Sequence, residues 1–264
     1  MKLGFIGAGE MGSAIIRGLL AQGLPKEDFI ASVHTPESAE RIQKELGIEA
    51  VTDNRRVIME AGWLFVAVKP AQVESVLSEI AASGVPAKPL ICMALGWTVE
   101  KIQRVLPAWP VIRIMPNTPL AVGEGVTLFH FAAETPKRTR REVMGLFDGM
   151  GKTFEISLSV FDAATALSGS GPAFVYYFID ALASAATDKG LPPEDAVKLA
   201  VQTVIGAAKM VERENLPPAE LARKVATPGG CTAAGMDVLA ASDVKKVVAK
   251  TLAATEKKAA EYSK

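Results

Sequence analysis

Cysteine and histidine are scarce here, with two of each in 264 residues. Cys92 and Cys231 lie far apart in the sequence, which excludes a disulfide framework and a cysteine-based metal site. An excess of charge is also missing. The 29 basic and 29 acidic residues cancel, so the chain lacks the basic field of a nucleic-acid-binding surface. No apolar run reaches the ~20 residues of a membrane span; the longest, Ala173 to Ala186, is interrupted by Asp180. The opening apolar stretch runs at once into glycines, unlike a secretory signal. These absences predict a soluble cytoplasmic protein. Apolar residues, by contrast, make up 49% of the chain, enough for one large domain or two smaller ones.

Up to residue 157, strand-like and helix-like segments alternate. Apolar runs predict strands at 2–7, 29–33, 63–68, 89–94 and 109–114. Two more, at 124–131 and 151–157, flank a helix around Thr135 to Asp148. Gly23 and Gly47 stand where helix C-caps are expected. Strands apolar on both faces and separated by helices imply a parallel sheet covered on both sides. From Leu158 onward no strand signal remains, and alanine-rich helical sequence takes over. Two proline pairs open helices there, in "GLPPEDAVKLA" and "NLPPAELARKV", after Gly190 and Asn215 close the preceding ones. The stretch Ala173 to Ala186 is apolar nearly all round and demands burial on every side. So small a domain has little room for it, which points to a second chain. The predicted class is α/β: a Rossmann-like doubly wound sheet (1–157) followed by an all-helical C-terminal dimerisation domain (158–264).

"GFIGAGEMG" sets G-x-G-x-x-G at Gly7, Gly9 and Gly12, between a predicted strand and a helix with Glu10 and Met11 in its first turn. That context strengthens a motif that is weak alone. Gly7 permits a tight turn, Gly9 lets backbone approach a pyrophosphate, and Gly12 allows close helix–strand packing. The helix N-terminus offers its unpaired N–H groups to phosphate. After the second strand, NAD-type sites carry an Asp or Glu for the ribose. Here Ser32, His34 and Thr35 occupy that region, and Arg55 and Arg56 follow Asn54 at the end of the next strand. The missing carboxylate favours NADPH, with NADH possible. "VAVKPAQ" ends the fourth strand on the ligand side of such sheets. Val68, Lys69 and Pro70 are its candidate cofactor contacts, and Lys69 is also a catalytic candidate. The competing reading is a solvated lysine at a strand end. In "IMPNTP", Asn117 has donors and an acceptor for the nicotinamide pocket, whereas Arg113 pairs with a sheet-edge carboxylate.

Two loops of small residues precede helices in the second part: "LSGSGPAF", with Ser170, and "TPGGCTAAG", with Gly229, Gly230, Cys231 and Thr232. Small residues bare their N–H groups, and a helix N-terminus concentrates them on an anion. Close packing between helices competes for both loops. A nucleophilic cysteine needs a base or a depressed pKa, and His34 and His130 both fall in the nucleotide half. The second loop therefore reads as a carboxylate cradle, with the N–H groups of Gly230, Cys231 and Thr232 as donors.

"GFIGAGEMG", "VAVKP", "MPNTP", "LSGSGPAF" and "TPGGCTAAGM", in this order and spacing, resemble pyrroline-5-carboxylate reductase over essentially the whole chain. The last motif is the most specific. It departs from the family pattern at Cys231, where Thr or Ala is usual. Met236 replaces a branched aliphatic residue, and Ala240 an acidic one. The resemblance implies reduction of 1-pyrroline-5-carboxylate to proline by hydride transfer, with Thr232 hydrogen-bonding the ring nitrogen. It places Gly230 and Cys231 on the carboxylate, Ser32 and Asn54 near the adenosine ribose, and Lys69 and Pro70 near the nicotinamide. It further implies a homodimer whose interface completes the active site, and larger rings of dimers. Two other classes compete. A related dehydrogenase acting on a β-hydroxy acid or another cyclic imine would direct a lysine such as Lys189 or Lys198 at its substrate, and a non-catalytic nucleotide sensor would bind NADPH without turnover.

Overall fold

The computed structural model describes residues 1–262; Ser263 and Lys264 lie outside the described residues. The elements run β1 (Leu3–Ile6), α1 (Glu10–Ala21), β2 (Phe29–Ser32), α2 (Pro36–Leu46), β3 (Glu49–Val51), α3 (Asn54–Glu60), β4 (Trp63–Val66) and α4 (Val73–Ala82). Next come β5 (Leu90–Cys92), α5 (Val99–Val105), β6 (Val111–Pro116), β7 (Gly125–Phe131), α6 (Lys137–Gly145) and β8 (Gly151–Glu155). Helices follow: α7 (Leu158–Ser168), α8 (Gly171–Thr187), α9 (Pro193–Glu214), α10 (Pro218–Val225), α11 (Cys231–Ala241) and α12 (Val244–Glu261). Each of the seven predicted strands forms. β3 stands just ahead of Asn54, where a strand end is expected, but at three residues it is too short to show an apolar run of its own.

The sheet order is β3-β2-β1-β4-β5-β6-β7-β8. All pairings are parallel except β6 with β7. The exception follows from chain length, since a parallel return needs a crossover of about a dozen residues or more. Only one 3-10 turn, Thr118–Val122, joins β6 to β7. Side chains alternate across the central strands. Phe5, Phe65 and Ile91 enter one core layer with Ile15 and Leu19 of α1. Ile6, Leu64 and Leu90 enter the other with Val57 and Leu77. The Phe5 and Phe65 rings stack at 4.4 Å between centroids.

The chain divides into two compact units. One gathers Met1–Ser170 with the segment from Ala254 on, and the other is Gly171–Ala253. Strands end before residue 158, as predicted, but α7 packs with the first unit through Phe161 and Ala166. Its anchor is Arg113, the largest fully buried side chain at 1% exposure. The guanidinium lies 4.0 Å over the Phe161 ring and donates to Asp162 Oδ1 at 3.3 Å. Burial pushes its pKa below the ordinary value and Asp162 opposes that shift.

In the second unit α8 packs on α9 through Ala183, Ala196 and Ala200. The rest of α8 stays open: Tyr177 is 73% and Leu182 53% exposed. Burial on every side is thus not achieved within one chain. Gly190 and Asn215 adopt positive φ at the expected helix ends, and Pro193 and Pro218 open α9 and α10. Among the described residues no helix is long and apolar enough to cross a membrane.

Asp162→Ala is expected to cost about 2–4 kcal/mol, because it strands a buried guanidinium. Urea unfolding checks this; an unchanged midpoint would show that Arg113 needs no counter-charge.

Candidate dinucleotide cleft and anion-binding loop

Sheet order reverses between β1 and β4, so their C-terminal ends open a crevice. A cleft of about 580 Å³ lies there. Gly7 turns the chain at φ +93°, and its N–H donates to the Ser32 carbonyl at 3.0 Å. A Cβ on Gly12 would stand 2.6 Å from the Gly7 carbonyl oxygen, whereas one on Gly9 would meet open space. These are the three duties expected of the fingerprint glycines. Ser13 N–H closes the first helical bond to the Gly9 carbonyl, leaving the N–H groups of Glu10, Met11 and Gly12 without intrahelical acceptors. The helix dipole adds positive potential there. Glu10 and Met11 are not among the residues of the cleft wall. Open space at Gly9 beside bare N–H groups fits a pyrophosphate.

At the β2 end of the cleft, Ser32 Oγ donates to Asn54 Oδ1 at 2.7 Å, and Asn54 Nδ2 donates to Glu79 Oε2 at 2.9 Å. Ser32, Asn54 and Glu79 all line the cleft, as do His34, Ser38 and Arg41. Thr35 is committed to capping α2 by accepting from Ser38 N–H. The arginines singled out in the sequence are not in the cleft wall. Arg56 pairs with Glu49 and, one helical turn on, with Glu60 at 2.8 Å. Arg41 was missed. Its only sequence signal is the Ser38–Arg41 spacing of three, which puts both on one helical face.

Val68 and Lys69 line the cleft beyond β4; Lys69 is exposed and makes no ion pair among the described residues. Pro70 stands behind them in a 3-10 turn, and its carbonyl accepts from Trp97 Nε1 at 3.0 Å. Asn117 is 6% exposed and outside the cleft wall. Its Nδ2 donates to the Ser168 carbonyl and its Oδ1 accepts from Val126 N–H. That amide ties β6 to β7 and α7.

In the second unit, Gly229 at φ +74° turns the chain into α11, with Gly230 as N-cap. The Gly230 N–H donates to the Thr227 carbonyl at 2.9 Å. It is therefore not a free donor, contrary to the sequence expectation, because the turn itself consumes it. The N–H groups without intrahelical acceptors are those of Cys231, Thr232 and Ala233, since Ala234 already bonds back to Gly230. Cys231 and Thr232 are exposed. Ser170, half-buried, joins α7 to α8. Burial pushes the Cys92 thiol up to about 11, which removes it from nucleophilic chemistry. Lys198 is engaged with Glu194 at 2.7 Å. Among the described residues no His, Cys, Asp or Glu cluster could hold a metal.

Comparison with known proteins bears on both units. Residues 159–262 match the family model for pyrroline-5-carboxylate reductase dimerisation, and residues 2–96 that for NADP oxidoreductase, coenzyme F420-dependent. A pyrroline-5-carboxylate reductase of Arabidopsis thaliana is 34% identical over 99% of this chain and 95% of its own length. The chain belongs to the pyrroline-5-carboxylate reductase family. The crystal structure of the Plasmodium falciparum reductase with NADP bound superposes with a TM-score of 0.90 at 30% identity, covering 100% of this chain and 98% of that one. A Coxiella burnetii reductase gives 0.92 at 30%, with the same coverage. The dimerisation match accounts for the open apolar face of α8: the protein is a homo-oligomer.

The glycines make separable expectations. Gly12→Ala should lower the melting temperature, since its methyl meets the Gly7 carbonyl. Gly9→Ala should leave melting unchanged yet weaken NADPH binding by about 10-fold or more, roughly 1.4 kcal/mol. Calorimetric titration beside thermal melting checks both, and equal melting losses would deny the division of roles.

Proposed function

We propose that this chain reduces 1-pyrroline-5-carboxylate to proline, with the cleft of the first unit holding NADPH and the α11 loop holding the imine. The observation that carries this reading is the pair of bare helix N-termini, each preceded by a glycine turn. One adjoins a cleft of about 580 Å³; the other presents three N–H groups beside the Thr232 hydroxyl and the exposed Cys231 thiol. When bound, NADPH supplies the hydride that C5 of the cyclic imine accepts. Every other task falls to the protein. The N–H groups of Cys231, Thr232 and Ala233 take the substrate carboxylate, and Gly229 and Gly230 shape the turn that presents them. Thr232 Oγ1 orients the ring nitrogen.

A threonine hydroxyl is far too weak an acid to protonate an imine near neutrality. The proton therefore arrives with the iminium substrate or from water, and Thr232 positions it. Rate enhancement then comes mainly from holding C5 in a near-attack geometry. Lys69, exposed at the cleft wall, is assigned to the cofactor side and contacts the nicotinamide ribose with Val68 and Pro70. Ser170 is assigned to the substrate side. We further place the enzyme in the cytoplasm, as a homodimer through its helical unit and with rings of dimers above it. Nucleic acid and membrane have no part in this scheme.

The test is loss of reduced-nicotinamide absorbance with 1-pyrroline-5-carboxylate, using NADPH and NADH in turn. Turnover with neither cofactor would reject the assignment. Thr232→Ala should lower kcat/KM about 10–100-fold, the loss of one positioning hydrogen bond, while Thr232→Ser retains most of it. An unchanged value in the alanine variant removes Thr232 from the mechanism. Leu182→Arg, on the open face of α8, should shift the mass in solution toward the monomer; an unaltered mass would locate the interface elsewhere.

A further inference from the structure

The helix that opens beside the adenosine end of the cleft carries a cation with no counter-charge. Arg41 is exposed, lines the cleft, and makes no ion pair among the described residues. This is not for want of neighbouring carboxylates. Glu37 stands four residues before it and Glu45 four after, the spacings at which helical ion pairs form. The Glu37 carboxyl is instead held below its usual pKa by hydrogen bonds from its own backbone and from Thr35. Glu45 faces Arg17 at 3.8 Å. Glu79, the carboxylate in the cleft wall, accepts from Asn54. Three carboxylates are thus drawn to other partners, and a guanidinium is left with its donors open. It shares a helical face with Ser38, also in the wall, and β2 before it ends in Ser32 rather than an acid.

We infer that Arg41 is the residue that selects a 2′-phosphorylated adenosine, its guanidinium taking the phosphate monoester with the Ser38 hydroxyl beside it. The inference rests on reading the cleft as a dinucleotide site, and it moves the cofactor preference from Arg55 and Arg56 to α2. A guanidinium matches phosphate geometry in a way that a hydroxyl on the same ribose cannot use. The contact is solvent-exposed, so added salt weakens it.

Direct binding to the full-length protein tests this without any turnover. Isothermal titration with 2′,5′-ADP and with 5′-AMP should show the former bound about 10–100-fold tighter by the native chain, the range of charge-assisted hydrogen bonds. Arg41→Ala should bring the two within about threefold, Arg41→Lys should keep part of the preference, and Arg56→Ala should keep all of it. Arg41 has no partner to lose, so the melting temperature should not move. A preference that survives Arg41→Ala, or disappears in Arg56→Ala, overturns the inference, as does a native chain with no preference. The same titrations separate this from the catalytic reading. If 1-pyrroline-5-carboxylate is not reduced yet Arg41 controls the 2′-phosphate preference, the inference stands and the proposed reaction falls.

Discussion

Gly12 lies so close to the Gly7 carbonyl that a single methyl group would stand 2.6 Å from the oxygen. That approach fixes how near α1 comes to the sheet, and the nucleotide half of the molecule depends on it. Drawn in at its first turn, α1 buries Ile15, Ile16 and Leu19 completely. The same closeness leaves the positive end of the helix at the mouth of the β1–β4 crevice. Stability and anion binding are therefore served by one geometry, with Gly9 left free for the ligand. The stacked Phe5 and Phe65 rings stiffen the two strands from which the crevice is built.

Charge is distributed with similar economy. Several ionic side chains of the nucleotide half are paired: Arg56 with Glu49 and Glu60, Lys2 with the same two carboxylates, and Arg113 with Asp162. The exposed pairs among these contribute little stability individually, unlike that of the buried Arg113. None of these residues lines the cleft. Arg41 and Lys69 then stand out at its wall as cations without ion-pair partners among the described residues. In the α11 loop the arrangement is different, since backbone N–H groups do the work and no charged side chain is needed. The substrate carboxylate and the dinucleotide phosphates would thus be met by the same device, a helix N-terminus after a glycine turn.

Much of this was legible in the sequence because it rests on local rules. Glycine and proline positions announced the turns and caps, and apolar runs announced the central strands. β3 was marked only by its expected end before Asn54, because an edge strand of three residues, beginning with Glu49, carries no apolar run that would bound it. Asn117 was read incompletely for a different reason. A polar side chain after a ligand-side strand looks available, but only the fold shows Val126 and Ser168 arriving to engage it. Gly230 illustrates the same limit at the scale of one hydrogen bond: the motif shows a bare N–H, and the turn closes it on Thr227. Arg41 lay in a plain helical stretch, where Arg55 and Arg56 offered a louder but unrelated signal. Side-chain engagement is a tertiary property, and local pattern does not encode it.

The modest core of the helical unit has a thermodynamic consequence. Its buried cluster consists of Ala183, Ala196 and Ala200, small side chains that bury little area each, while Tyr176, Tyr177, Phe178 and Leu182 of α8 are exposed. A unit so built draws its cohesion from association, and stability acquired by association varies with protein concentration. Dilution should therefore loosen the Thr232 loop before it disturbs the sheet. Activity lost on dilution would then reflect mass action and return when the protein is concentrated again.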